Sequence, residues 1–157
     1  MVIWIIGLSG SGKTTIGRKL YKDWRTKFCN TVFVDGDEIR AIFKHDQSLT
    51  DYTIKGRLKN ANRIREICRW LDSQDIHVIC CMLSIFPEMQ AENRKYFSNY
   101  FEIFIDVPIS ILTNRDDKGL YRPALKGDTS NVVGIDIHFP RPQAPDLVID
   151  NSTFDTP

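Results

Sequence analysis

What this 157-residue chain lacks narrows its function before any motif is read. No apolar run approaches the roughly 18 residues that cross a bilayer, so no membrane span and no membrane partner are expected. The N-terminus is apolar but has neither a basic lead nor a cleavage-site pattern, so a signal peptide is not expected. Charge of one sign is also missing: 21 Lys and Arg stand against 20 Asp and Glu, a formal net charge of +1. That balance gives no electrostatic case for a nucleic-acid partner. The four cysteines, Cys29, Cys68, Cys80 and Cys81, form no C-x-x-C pair, which argues against a zinc site. Buried free thiols in a cytoplasmic protein are the expectation. Cys80 and Cys81 are adjacent in an apolar run and should point to opposite faces of a strand. No internal repeat, low-complexity tract or interdomain linker breaks the chain, so residues 1–157 read as one domain.

What is present begins with Gly7-Leu8-Ser9-Gly10-Ser11-Gly12-Lys13-Thr14, the G-x-x-x-x-G-K-[ST] phosphate-binding loop. It follows the apolar run Val2–Ile6 and precedes a helix-compatible segment. Glycines let the backbone curl so that successive N–H groups point inward as an anion nest, and the helix start adds its dipole. Lys13 is placed to reach the β- and γ-phosphates, and the Thr14 hydroxyl to ligate Mg²⁺. The bland alternative is a Gly/Ser turn between strand and helix, but a turn has no need of Gly-Lys-Thr. ATP with Mg²⁺ is therefore the expected cofactor pair, with Gly10, Ser11, Gly12, Lys13, Thr14 and Thr15 cradling the phosphates.

Further along, apolar runs at 31–34, 76–83, 101–107 and 146–150 alternate with helical patterns at 14–27, 53–74, 88–97 and 109–115. Alternation of this kind predicts an α/β fold, a parallel sheet flanked by helices on both faces. Ligands in such sheets sit at the carboxyl ends of strands. Asp35 and Asp37 fall at one such end, beside the phosphate loop if the first two strands are neighbours. Asp37 also reads as a helix N-cap. Arg57 and Asn60, three apart, share a helix face. His77 lies near the start of its strand and reads as structural. Residues 116–145 are rich in Gly and Pro with interleaved basic residues. A long irregular stretch inside a domain is usually functional; a lid over phosphates with Lys118, Arg122 and Lys126 is the expectation, a solvated loop the alternative.

Several pieces together resemble the adenylylsulfate (APS) kinase family across residues 2–151. They are the phosphate loop through Thr15, Asp35-Gly36-Asp37-Glu38-Ile39-Arg40, Arg57 with Asn60, and Ser84. The more specific pieces lie in the lid: Arg115 to Tyr121, including Lys118-Gly119-Leu120-Tyr121, and Asn131 to Asp136. The resemblance implies a P-loop NTPase fold and transfer of the ATP γ-phosphoryl to the 3′-hydroxyl of a nucleotide 5′-derivative. It implies that Asp35 orients the acceptor hydroxyl and helps hold Mg²⁺ with Thr14. It gives Arg115 to the ATP adenine, and Asp37, Arg40, Tyr52, Arg57, Asn60, Ser84 and Ile135 to the acceptor. Lys13, Asp35 and Lys118 would be the catalytic set. A homodimer fits the family.

The sequence departs from that family where the acceptor is chosen. Pro87 and Gln90 stand in two arginine positions, Val132 replaces a base-stacking aromatic, and the usual C-terminal helix is not seen. A divergent branch that phosphorylates cytidine diphosphoramidate, in capsule biosynthesis, fits such a pocket; APS itself is the other candidate. The rival readings are a non-kinase nucleotide switch, which should carry an Asn-Lys-x-Asp base motif that Asn114-Arg115-Asp116-Asp117 does not supply, and a regulatory nucleotide-binding module.

Overall fold

Every residue of Val2–Ile6 is buried. A strand that is apolar on both sides needs cover on both sides, which a parallel sheet with two helix layers gives. In the computed structural model, which describes residues 1–116 and 118–153, this segment is β1, the centre of the sheet. Around it run β2 (Thr31–Asp35), β3 (His77–Met82), β4 (Tyr100–Asp106) and β5 (Leu147–Asp150). The order is β2-β3-β1-β4-β5 and all the pairings are parallel. Asp117 of the lid motif and residues 154–157 lie outside the described residues.

Strand periodicity divides the core in two. Ile3, Ile5, Ile79, Cys81, Ile103 and Ile105 face one layer, against which Ile16, Leu20, Tyr21 and Trp24 of α1 (Lys13–Lys27) pack. Val2, Trp4, Ile6, Val78, Cys80 and Met82 face the other, with Ala61, Ile64 and Cys68 of α3 (Ile54–Asp72) and Met89 of α4 (Pro87–Tyr96). Cys80 and Cys81 thus take opposite faces, as the alternation requires. Trp4 is fully buried, and its truncation to Ala would cost about 3–5 kcal/mol. Gly17 brings α1 against the sheet: a Cβ there would lie 2.3 Å from Cys81 Sγ. His77 packs in a ring cluster, its centroid 4.9 Å from that of Phe28.

One condition is not met and two expectations need correction. β1 and β2 are not neighbours; β3 lies between them. Cys29 is exposed rather than buried, because it sits in the turn between α1 and β2. The stretch 116–145 is not wholly irregular, for it contains α6 (Tyr121–Lys126) after α5 (Ile109–Arg115). The Asp116 carboxylate accepts from the amides of Leu120, Tyr121 and Arg122, which holds the start of that helix. Two buried side chains, Tyr121 and Ala124, dock it on the core. Among the described residues no helix is long and apolar enough to cross a membrane.

Candidate active site

The carboxyl ends of β1, β2 and β3 open onto a cavity of about 690 Å³, within the range of small-ligand sites. Its floor is the phosphate loop. Gly10 (φ 75°) and Gly12 (φ 94°) take left-handed backbone that side chains rarely adopt. Gly12 caps α1 with no side-chain bond, and the first turn holds no acid, so the helix start remains open to an anion. The side chain of Lys13 folds across the loop, its Nζ donating to the Leu8 carbonyl at 2.7 Å. Burial pulls the Lys13 ammonium down to about 8, against the opposing pull of Cys81, Asp37 and Asp35. An anion in the nest would restore the charged form.

Asp35 ends β2 and joins the two walls. Its Oδ2 accepts from the Thr14 hydroxyl at 2.8 Å and its Oδ1 from the Asp37 amide at 2.9 Å. It is therefore Asp35, not Asp37, that N-caps α2 (Gly36–Ile42). The contact with Thr14 forms although β3 separates the strands, because both residues lie above the carboxyl edge. Asp35 and Thr14 present hard oxygens side by side, a donor set that suits Mg²⁺. Among the described residues no three His, Cys, Asp or Glu cluster as a metal site. A cation held here would take its remaining ligands from phosphates and water, which is the habit of Mg²⁺.

The opposite wall is built from α2, a short 3-10 turn at Leu49–Tyr52 and the start of α3. The guanidinium of Arg40 lies 4.8 Å from the centroid of the Tyr52 ring, and that of Arg57 5.8 Å. Both arginines are anchored. Arg40 Nη1 donates to the His45 and Asp51 carbonyls at 3.0 and 2.8 Å. Arg57 donates to the carbonyls of Tyr52 (2.8 Å) and Asn131 (2.7 Å). Asn60 is buried, and its Oδ1 has no hydrogen-bond partner among the described residues. The roof is the loop 129–133, fixed from behind by Asp136, which accepts from the Asn131 and Val132 amides at 2.6 Å each. Lys118 reaches over from the segment between α5 and α6 to Asp37 Oδ2 at 2.9 Å, in an exposed pair.

The cavity thus gathers Gly10, Gly12, Lys13, Thr14, Thr15, Asp35, Asp37, Arg40, Tyr52, Arg57, Asn60 and Lys118. Four expected residues do not line it. Ser11 is fully buried beneath the loop. Ser84 is likewise fully buried, its hydroxyl accepting from Gln90 Nε2 at 3.1 Å. Ile135 packs on the core, and Arg115 donates to the carbonyls of Asn151 and Ser152 beyond β5. Sequence reasoning missed Asn151, which follows β5 directly; its Nδ2 donates to the Ser11 carbonyl at 2.9 Å and clamps the loop. It also missed Asp136 as a loop anchor; the Gly134-Ile135-Asp136 piece was the available signal. For Asn151 there was none.

This geometry of loop, acid and anchored arginines coincides with a family match: the model of adenylylsulphate kinase fits residues 1–150. The chain belongs to the adenylylsulphate kinase family. A cytidine diphosphoramidate kinase from Campylobacter jejuni is 44% identical over 151 residues, covering 96% of this chain and 86% of that one. An adenylyl-sulfate kinase from Geotalea uraniireducens is 34% identical, covering 96% and 72%. Among solved structures, the Mycobacterium tuberculosis APS kinase CysC in complex with AMPPNP and APS is 30% identical, with a TM-score of 0.81 over 95% of this chain and 87% of that one. The protein is an ATP-dependent, Mg²⁺-using nucleotide kinase on a P-loop α/β fold.

Proposed function

We propose that this kinase phosphorylates the 3′-hydroxyl of a cytidine 5′-diphosphate derivative of the phosphoramidate type. The observation that carries this reading is the 44% identity with the Campylobacter jejuni enzyme, against 34% for the Geotalea uraniireducens adenylyl-sulfate kinase. The pocket supports it. Tyr52 offers one aromatic face, while Val132, which lines the same cavity where the resemblance puts a second aromatic, is a buried aliphatic. A base held on one face loses about 1–3 kcal/mol of stacking, which weighs more heavily on a purine than on a smaller pyrimidine. Gln90 stands where the resemblance puts an arginine; it is committed to Ser84 and carries no charge, so that position offers the acceptor no cation.

In this reading Lys13 and the loop amides hold the phosphate oxygens of the donor and stabilise the charge that builds on the transferred group. Asp35 orients the acceptor hydroxyl and, with Thr14, would hold Mg²⁺, which would supply charge neutralisation at the phosphate oxygens. Arg40, Arg57, Asn60 and Tyr52 position the acceptor, and Lys118 closes the lid and excludes water. The test is phosphoryl transfer from ATP across cytidine diphosphoramidate, APS and plain nucleoside mono- and diphosphates. Transfer to the phosphoramidate above the others is expected. Transfer chiefly to APS would overturn the choice of acceptor.

A further inference from the structure

His45 is held between two oxygens that can only accept. Its Nδ1 lies 2.9 Å from Asp51 Oδ1 and its Nε2 lies 2.9 Å from the Gly56 carbonyl oxygen, with the side chain 10% exposed. A neutral imidazole carries one N–H and one lone pair, so one of these contacts would set a lone pair against an oxygen. Only the imidazolium donates to both. Asp51 has no proton to give: burial pushes its carboxyl up, but the Ser48 amide, His45 and the Ser48 hydroxyl outweigh burial and hold it below the usual carboxylate range.

The ring ties together three elements of the wall opposite the phosphate loop. Asp51 belongs to the 3-10 turn and Gly56 to the first turn of α3. Gly56 packs directly on the 3-10 turn; a Cβ there would come within 2.5 Å of the Thr50 and Asp51 carbonyl oxygens. From α2, Arg40 donates to the carbonyls of both His45 and Asp51, and the His45 amide returns a bond to the Arg40 carbonyl at 2.9 Å. The charged groups facing His45 are thus Asp51 from the turn and Arg40 from α2, while α3 presents the neutral Gly56 carbonyl. Lys44 and Asp46 flank it and are exposed. Tyr52, the stacking face, follows Asp51 directly.

We propose that His45 is a positioning residue for the acceptor: its ring bridges the 3-10 turn and α3, locks Tyr52 and Arg40 in place, and leaves the ATP half untouched. This rests on the reading that the wall binds the acceptor. Two measurements on the full chain test it. In the first, hydrogen exchange without substrate, the Asp51 and Tyr52 amides should exchange faster in His45→Gln than in the wild type; unchanged exchange overturns the proposal. In the second, His45→Gln should raise the KM for cytidine diphosphoramidate by about 10-fold, the scale of one charge-assisted hydrogen bond, while the KM for ATP does not follow it. An unchanged acceptor KM, or an equal rise in both, overturns the proposal; if His45→Gln does not fold, His45→Asn carries both measurements. No transfer to any acceptor by the wild type would sink the functional reading instead, and the exchange result would still stand or fall by itself.

Discussion

The two halves of the cleft are held by different means. The donor half is a backbone object: left-handed glycines, a helix start without a side-chain cap, and one lysine. Its shape follows from consecutive residues. The half that we propose holds the acceptor is a set of side chains gripping distant backbone, with Arg57 reaching the Asn131 carbonyl, Asp136 the Asn131 and Val132 amides, and His45 the Gly56 carbonyl. A backbone cradle suits a donor shared by a whole fold class. A cradle of side chains can be retuned by single substitutions, which is where acceptor choice is expected to diverge.

The largest expected effect joins both halves. Asp35→Ala removes the group that touches Thr14 and the Asp37 amide, and kcat should fall by at least about 10²-fold, in the range of a positioned acid–base group. Activity near wild type in single-turnover assays would remove Asp35 from its role. Asp136→Ala should separate the halves. With two amides of the roof released, the acceptor KM should rise by about 10-fold and the ATP KM by less than about 2-fold. Equal rises would show that the roof serves both substrates.

The same division marks what the sequence made legible. The phosphate loop, all five strands and the helices α1, α3, α4 and α5 could be read because hydrophobic period and glycine placement are local signals. Asp35, at a strand end, was legible for the same reason. The insertion of β3 between β1 and β2 was not, because both orders bury equally apolar strands. The 3-10 turn at Leu49–Tyr52 and α6 were missed: the first is too short for periodicity, and the second hides among Gly and Pro, its start fixed by the Asp116 carboxylate. Ser84 has the residue type of a phosphate contact, yet its hydroxyl pairs with Gln90 in the interior. Asn151 gripping the Ser11 carbonyl is a contact between opposite ends of the chain that no pattern announces.

Three smaller effects sharpen the contrast. Val132→Phe adds a second stacking face, and the kcat/KM ratio of adenine to cytidine acceptors should rise by about 10-fold; an unchanged ratio would break the account of the pocket. On the donor side, the Lys13 ammonium is charged below about 8 and neutral above, so ATP affinity should weaken as pH rises through that value. Binding ATP near that pH should take up protons, which calorimetry in buffers of different ionisation enthalpy detects; no uptake would contradict the assignment. Smallest in stability is Lys118→Met. The Lys118–Asp37 pair is exposed, so the melting temperature should stay within about 2 °C, while kcat falls as the lid loses its cation. A large loss of stability would recast the lid as structural.

The most direct test sets the two acceptors against each other. With equimolar cytidine diphosphoramidate and APS and limiting ATP in one reaction, the ratio of phosphorylated products reads the ratio of kcat/KM values. A cytidine product in excess by more than about 10-fold, the discrimination expected from about 1.4 kcal/mol of differential binding, is the predicted result. An excess of the adenylyl product would contradict the account of the acceptor half, while leaving the donor half as described.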